Sequence, residues 1–247
     1  MNTNLYLYAL LFTFLYCTTS SAESLKVAIV IDDIGYRDTD EQALYLPGNI
    51  TYAVLPHTTY GKKLASQAHK QHNDVILHIP MEAEIETKLG PGALTSKMSK
   101  KAIYTSLSAS FNDIPYAIGM NNHMGSHLTQ LYQPMKWTMH FLKAHKLFFL
   151  DSKTSANSQA IKVANDIGVP VNSRHIFLDN ELTDDYISKQ FDRLIQFAKK
   201  QKFAIAIAHP HPETIKVLTR LIPTLKANNI ELVPLSSLYK LNTINAE

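Results

Sequence analysis

The 247 residues contain only eight glycines, one tryptophan and one cysteine, and the shortage of cysteine excludes most. Cys17 sits in an apolar N-terminal stretch, residues 5–17, that is followed by Ser20-Ser21-Ala22. A stretch of that length, shorter than a membrane span and followed by small residues, has the form of a secretory signal peptide spanning residues 1–22. Once cut after Ala22, the domain has no disulfide, no thiolate ligand and no cysteine nucleophile. Charge is also missing where a signal peptide commonly carries it, since Glu23 is the first charged side chain. An uncleaved anchor therefore stays open as the alternative, while Tyr16 is too bulky for the small-residue motif that precedes a lipid-modified cysteine. The expected location is periplasmic or secreted, with no stable membrane insertion after cleavage.

A basic stripe is absent as well. Lysine and arginine number 24 against 21 acids, a formal charge of +3, and the lysines are scattered, so nucleic acid is not an expected partner. There is no internal repeat, low-complexity tract or long linker, and residues 23–247 have the length of one α/β domain with a single core.

What the chain does have is the run Lys26-Val-Ala-Ile-Val-Ile-Asp32-Asp33-Ile-Gly35. Five consecutive apolar residues read as a strand buried on both faces, ending in two carboxylates and a glycine that permits a sharp turn. Neighbouring strand residues point to opposite sides, so both acids serve one site only where the strand breaks, which Gly35 suggests. Two such acids repel, and a divalent cation keeps both ionised. The alternative is a solvated strand end with Asp33 capping the next segment.

Strands and helices then alternate. Strands are expected at 50–55, 74–79, 116–120, 147–150, within 169–178, at 203–208 and at 230–233, with amphipathic helices between them. This pattern implies a mostly parallel sheet, open or closed into a barrel. Asp32, Asp33, His78, His123, His127, Asp151, Asp179, His209 and His211 all fall at the C-terminal ends of these strands, the face on which parallel α/β proteins build their sites. His69, His72, His140 and His145 lie on or near helices and are assigned to solvated faces.

The pieces Val-Ile-Asp-Asp-Ile-Gly (30–35), Leu-His-Ile-Pro-Met-Glu (77–82), Asn-Asn-His-Met-Gly-Ser (121–126), Phe-Leu-Asp-Ser (149–152) and Ala-His-Pro-His-Pro (208–212) occur in that order across the chain. Together they resemble the polysaccharide deacetylase superfamily, specifically its divergent periplasmic branch. The resemblance implies a distorted (β/α) barrel of about seven parallel strands and a divalent metal, usually zinc, at its C-terminal mouth. It further implies removal of acetyl groups from an envelope or extracellular polysaccharide.

Carried over by residue, the resemblance makes Asp32 the general base, Asp33, His78 and His123 the metal ligands, and His209 the general acid. Glu82 stands where the family's second histidine would be, and His127 is left between ligand and bystander. Glu82, His127, Asp151 and His211 are assigned to substrate contact or to support around the metal. The chain departs from the family pattern where Ile34 separates the acids from the glycine, and where no Arg-x-Pro segment follows the fourth strand. His209 is expected to point into the mouth near Asp32, with His211 farther out or paired with Asp179. Two other readings compete: a non-catalytic periplasmic protein that keeps the metal to bind glycan or a partner, and a metal hydrolase acting on another bond such as a phosphoester. A serine nucleophile has no support, because Gly125-Ser126 lacks a strand-to-helix elbow.

Overall fold

Because no polar residue interrupts positions 27–31, β1 (Leu25–Ile34) must be covered on both faces, and it occupies the middle of the sheet. The computed structural model describes residues 24–239, so the expected signal peptide lies outside the described residues. After β1 come β2 (Thr51–Val54), α1 (Gly61–Lys70), β3 (Asp74–Met81), α2 (Lys100–Asp113), β4 (Gly119–Met124), α3 (Tyr132–Ala144) and β5 (Phe148–Asp151). The chain continues through α4 (Ala160–Ile167), β6 (Val171–Ser173), β7 (Ile176–Phe177), α5 (Asp184–Gln201), β8 (Phe203–Ala208), α6 (Pro212–Leu221) and β9 (Ile230–Leu232).

The strand order is β6-β5-β4-β3-β2-β1-β8-β7, with every pairing parallel and β9 added beside the start of β1. The result is a curled half-barrel of eight strands with helices outside. The Val169–Leu178 stretch supplies two of the strands, and the sheet is open between them. The expected fourth strand needs correcting: it spans Gly119–Met124, so Asn121, Asn122 and His123 lie on it and not beyond it.

Strand alternation sorts the core into two shells. Val27, Ile29 and Ile31 face the helices, while Ala28 and Val30 face the inside of the curl with Ala53, Ile76, Leu150, Ile205 and Ile207. Val233, Leu235, Leu238 and Tyr239 close the floor, and the Tyr239 hydroxyl donates to the Phe149 carbonyl at 3.1 Å. Two residues farther along the same inner rows stand Asp32 after Val30, His78 after Ile76, and His209 after Ile207. The alternation that fills the core therefore also delivers the polar residues to the mouth. His69, His72, His140 and His145 are exposed, as expected. Among the described residues no helix is long and apolar enough to cross a membrane.

Candidate metal centre

A regular strand would send Asp32 and Asp33 to opposite faces. Here the β1–β2 register shifts between Ile31 and Ile34, and Asp33 takes a left-handed conformation with φ 60°. Aspartate tolerates that region better than most side chains. The break thus falls on Asp33 itself and not, as the sequence suggested, at Gly35. Gly35 has a packing duty: a Cβ there would stand 2.4 Å from Thr58 Oγ1 and 2.9 Å from Gly61 Cα, at a φ of 128°.

Three donor atoms converge beside this bulge. Asp33 Oδ1 lies 3.1 Å from His78 Nε2 and 2.8 Å from His123 Nδ1, and the two nitrogens are 3.1 Å apart. Despite these contacts Asp33 Oδ1 is buried without a hydrogen bond of acceptable geometry. An orphaned carboxylate oxygen facing two imidazole nitrogens is what a cation would satisfy. One carboxylate and two imidazoles suit zinc and related divalent ions, and the residues present therefore fit such a group.

Asn121 is fully buried behind His78. Its amide nitrogen donates to both oxygens of Asp32, at 2.8 and 3.1 Å. Its carbonyl lies 2.7 Å from His78 Nδ1. A carbonyl only accepts, so Nδ1 carries a hydrogen, and Nε2 is the nitrogen that faces Asp33. Burial raises the Asp32 pKa, against the opposing charges of His78 and His209 and the Asn121 bond. Asp33 is also partly desolvated, yet the facing His123 and His78 hold its carboxyl below the usual range. Burial works against a proton on His78, but Asp32 and Asp33 outweigh it and raise its pKa.

On the opposite side, His209 follows β8. Its backbone N–H donates to Asp179 Oδ2 at 2.6 Å, and its Nδ1 lies 3.0 Å from Asp179 Oδ1. Although burial disfavours the imidazolium, Asp179, then Asp32 and Asp33, push the His209 pKa up to about 9. Its ring stacks on Phe177, whose other neighbour is the Arg174 guanidinium, 3.6 Å from the ring centre. Arg174 is itself tied to the carbonyls of Ser152 and Lys153.

A family model for divergent polysaccharide deacetylases matches residues 29–239. The chain belongs to that family. It is 39% identical over 230 residues to the uncharacterized protein YibQ of Escherichia coli K12, covering 93% of this chain and 72% of that protein. Among solved structures it is similar to the uncharacterized protein ATU2773 from Agrobacterium tumefaciens C58, with a TM-score of 0.85, 26% identity and coverage of 89% of this chain and 91% of that one. A family 4 carbohydrate esterase from Streptomyces lividans, solved in complex with acetate, shares the fold with a TM-score of 0.51 and 13% identity, over 85% of this chain and 92% of that one.

The remaining positions that the deacetylase resemblance singled out have other partners. Glu82 accepts the Ser96 N–H, which holds its carboxyl below the usual range. Its carbonyl accepts the N–H groups of His127 and Leu128, so His127 opens a short turn next to Glu82. Neither side chain is in the group formed by Asp33, His78 and His123. Asp151 is buried, which raises its pKa, and it accepts the Lys153 N–H at 2.8 Å in the turn after β5. His211 occupies the N-cap of α6 and makes no side-chain capping bond. Of the two placements expected for His211, pairing with Asp179 does not occur; Asp179 is spent on His209 and on the Thr214 hydroxyl.

Sequence reasoning missed Asn121 and Arg174. Asn121 carried a signal, standing two residues before His123 and therefore on the same face once the strand continues. Arg174 carried none; what marks it is its stack on Phe177 and its bonds to the carbonyls of Ser152 and Lys153. A serine–histidine–aspartate grouping also occurs at Ser110, His57 and Asp113, but Ser110 is fully buried and its hydroxyl donates to Ser106. That cluster offers no accessible nucleophile.

Proposed function

We propose that this chain is a metal-dependent hydrolase that removes acetyl groups from an envelope or extracellular polysaccharide in the periplasm or outside the cell. The observation that carries the reading is the convergence of Asp33 Oδ1, His78 Nε2 and His123 Nδ1 to mutual distances of 2.8–3.1 Å beside Asp32. These three residues would hold a divalent cation, zinc by the donor set. When bound, it supplies Lewis acidity to an acetyl carbonyl and to water.

The chain's own groups then divide the proton work. Asp32, kept out of water and raised in proton affinity, takes the proton of the attacking water. Asn121 fixes the direction in which the Asp32 carboxylate points. His209 is protonated at neutral pH, since its pKa is about 9. With Nδ1 held by Asp179, its Nε2 proton is the one available to the leaving amine or alkoxide. The family membership and the esterase-like fold support this reading.

The test is acetate release by the zinc-loaded chain from acetylated peptidoglycan and from chitooligosaccharides. Release that stops on chelation and in Asp32→Asn supports the proposal. A zinc-loaded wild type that releases nothing from either panel favours a protein that binds glycan without turning it over.

A further inference from the structure

We propose that Asn121 is a positioning residue that keeps Asp32 from bonding to His78, so that one acid remains free for proton transfer while the imidazole serves a cation. The inference rests on reading Asp33, His78 and His123 as a metal site.

Asp32 Oδ2 lies 3.6 Å from His78 Nδ1, close but beyond hydrogen-bond range, and both side chains are almost fully buried. An Nδ1–H that faces a carboxylate at that separation in a dry site is drawn to it, and a small shift would bring the two into contact. Asn121 bridges them, bonded to both. Its position is set by backbone register, because Asn121 and His78 are direct partners across β4 and β3. Its orientation is set by chemistry. Turning the amide over would aim its carbonyl at a carboxylate 2.8 Å away, where neither group can donate.

One buried amide thus does two things at once. Its carbonyl holds the hydrogen of His78 on Nδ1, presenting Nε2 to Asp33 and His123. Its N–H groups hold Asp32 away from that same hydrogen. A carboxylate bonded directly to His78 Nδ1 would orient the imidazole equally well. It would no longer be free to act as a base. Asn121 therefore decides which of two jobs Asp32 performs.

This yields a coupling that a merely structural asparagine would not show. In Asn121→Ala, Asp32 closes onto His78, so zinc affinity stays within about tenfold of wild type while turnover of an aryl acetate falls by about a hundredfold or more. Adding Asp32→Asn to Asn121→Ala then costs little further turnover, but lowers zinc affinity by about tenfold, because Asp32 has become the support of His78. In the wild-type background Asp32→Asn has the reverse pattern. Zinc affinity is read by competition with a chelator. The tautomer is read from ¹⁵N shifts of His78 in the zinc-loaded full chain, which needs no turnover.

Wild type with the hydrogen on His78 Nδ1, together with the switched response to Asp32→Asn, supports the proposal. The hydrogen on Nε2, or the same effect of Asp32→Asn with and without Asn121, overturns it while leaving the metal site intact. If Asn121→Ala fails to fold, Asn121→Asp keeps the test, since it still accepts from His78 yet faces Asp32 with a second acid. It should then retain zinc and the tautomer but lose turnover, and loss of zinc would count against the proposal. A chain that binds no zinc overturns both this inference and the reading beneath it.

Discussion

Asp179 grips His209 at two points, accepting its backbone N–H and facing its Nδ1 at 3.0 Å, so the ring cannot rotate without losing a buried carboxylate's partner. A third bond from the Thr214 hydroxyl fixes Asp179 from α6. The His209 pKa of about 9 follows from this pairing, against the opposing effect of burial.

Replacing Asp179 with asparagine removes the charge and keeps the shape. The His209 pKa should fall toward its ordinary 6.5, and the alkaline limit of activity should move to lower pH with it. The stability effect has a definite sign. A raised pKa in the folded state contributes stability that is complete below about 6.5 and is lost as pH rises through about 9. Asp179→Asn should flatten that decline, as checked by chemical denaturation across pH 6–10 and by NMR titration of His209; an unchanged titration would sink the assignment.

His209→Ala should lower turnover by about a hundredfold or more and leave zinc content unchanged, as expected of a proton donor outside the ligand set. His211→Ala should have a small effect, because its side chain makes no bond to the helix it caps. Comparable losses in the two variants would contradict that ordering.

Gly35→Ala tests the local geometry instead of the chemistry. The new methyl would meet Thr58 Oγ1 at 2.4 Å in a backbone conformation that suits glycine alone. Thermal unfolding should show a loss of about 1–3 kcal/mol. A neutral result would mean the 35–61 contact is looser than it stands.

Much of this architecture was legible in the residue order. Apolar runs such as 27–31 and 204–208 marked central strands, and the polar residues directly after them marked the mouth. Three features were not legible, each because its cause is not local. Asp33 adopts φ 60° at a register shift that two strands create jointly. The fourth strand continues through Asn121 and His123 because inward polar residues there face other polar residues instead of hydrocarbon, so hydrophobicity stops before the strand does. Asp179 selects His209 over His211 across 30 residues, a choice made by where β8 and the stretch after β7 come to lie.

In the proposed centre Asp33, His78 and His123 hold one divalent cation while Asp32 stands beside it without binding. Equilibrium zinc titration of wild type, His78→Ala, His123→Ala and Asp32→Asn tests this most directly. One zinc per chain is expected in wild type and Asp32→Asn, with a loss of affinity of about a hundredfold or more in each histidine variant. Unchanged stoichiometry and affinity in either histidine variant, or loss of zinc in Asp32→Asn equal to theirs, would contradict it.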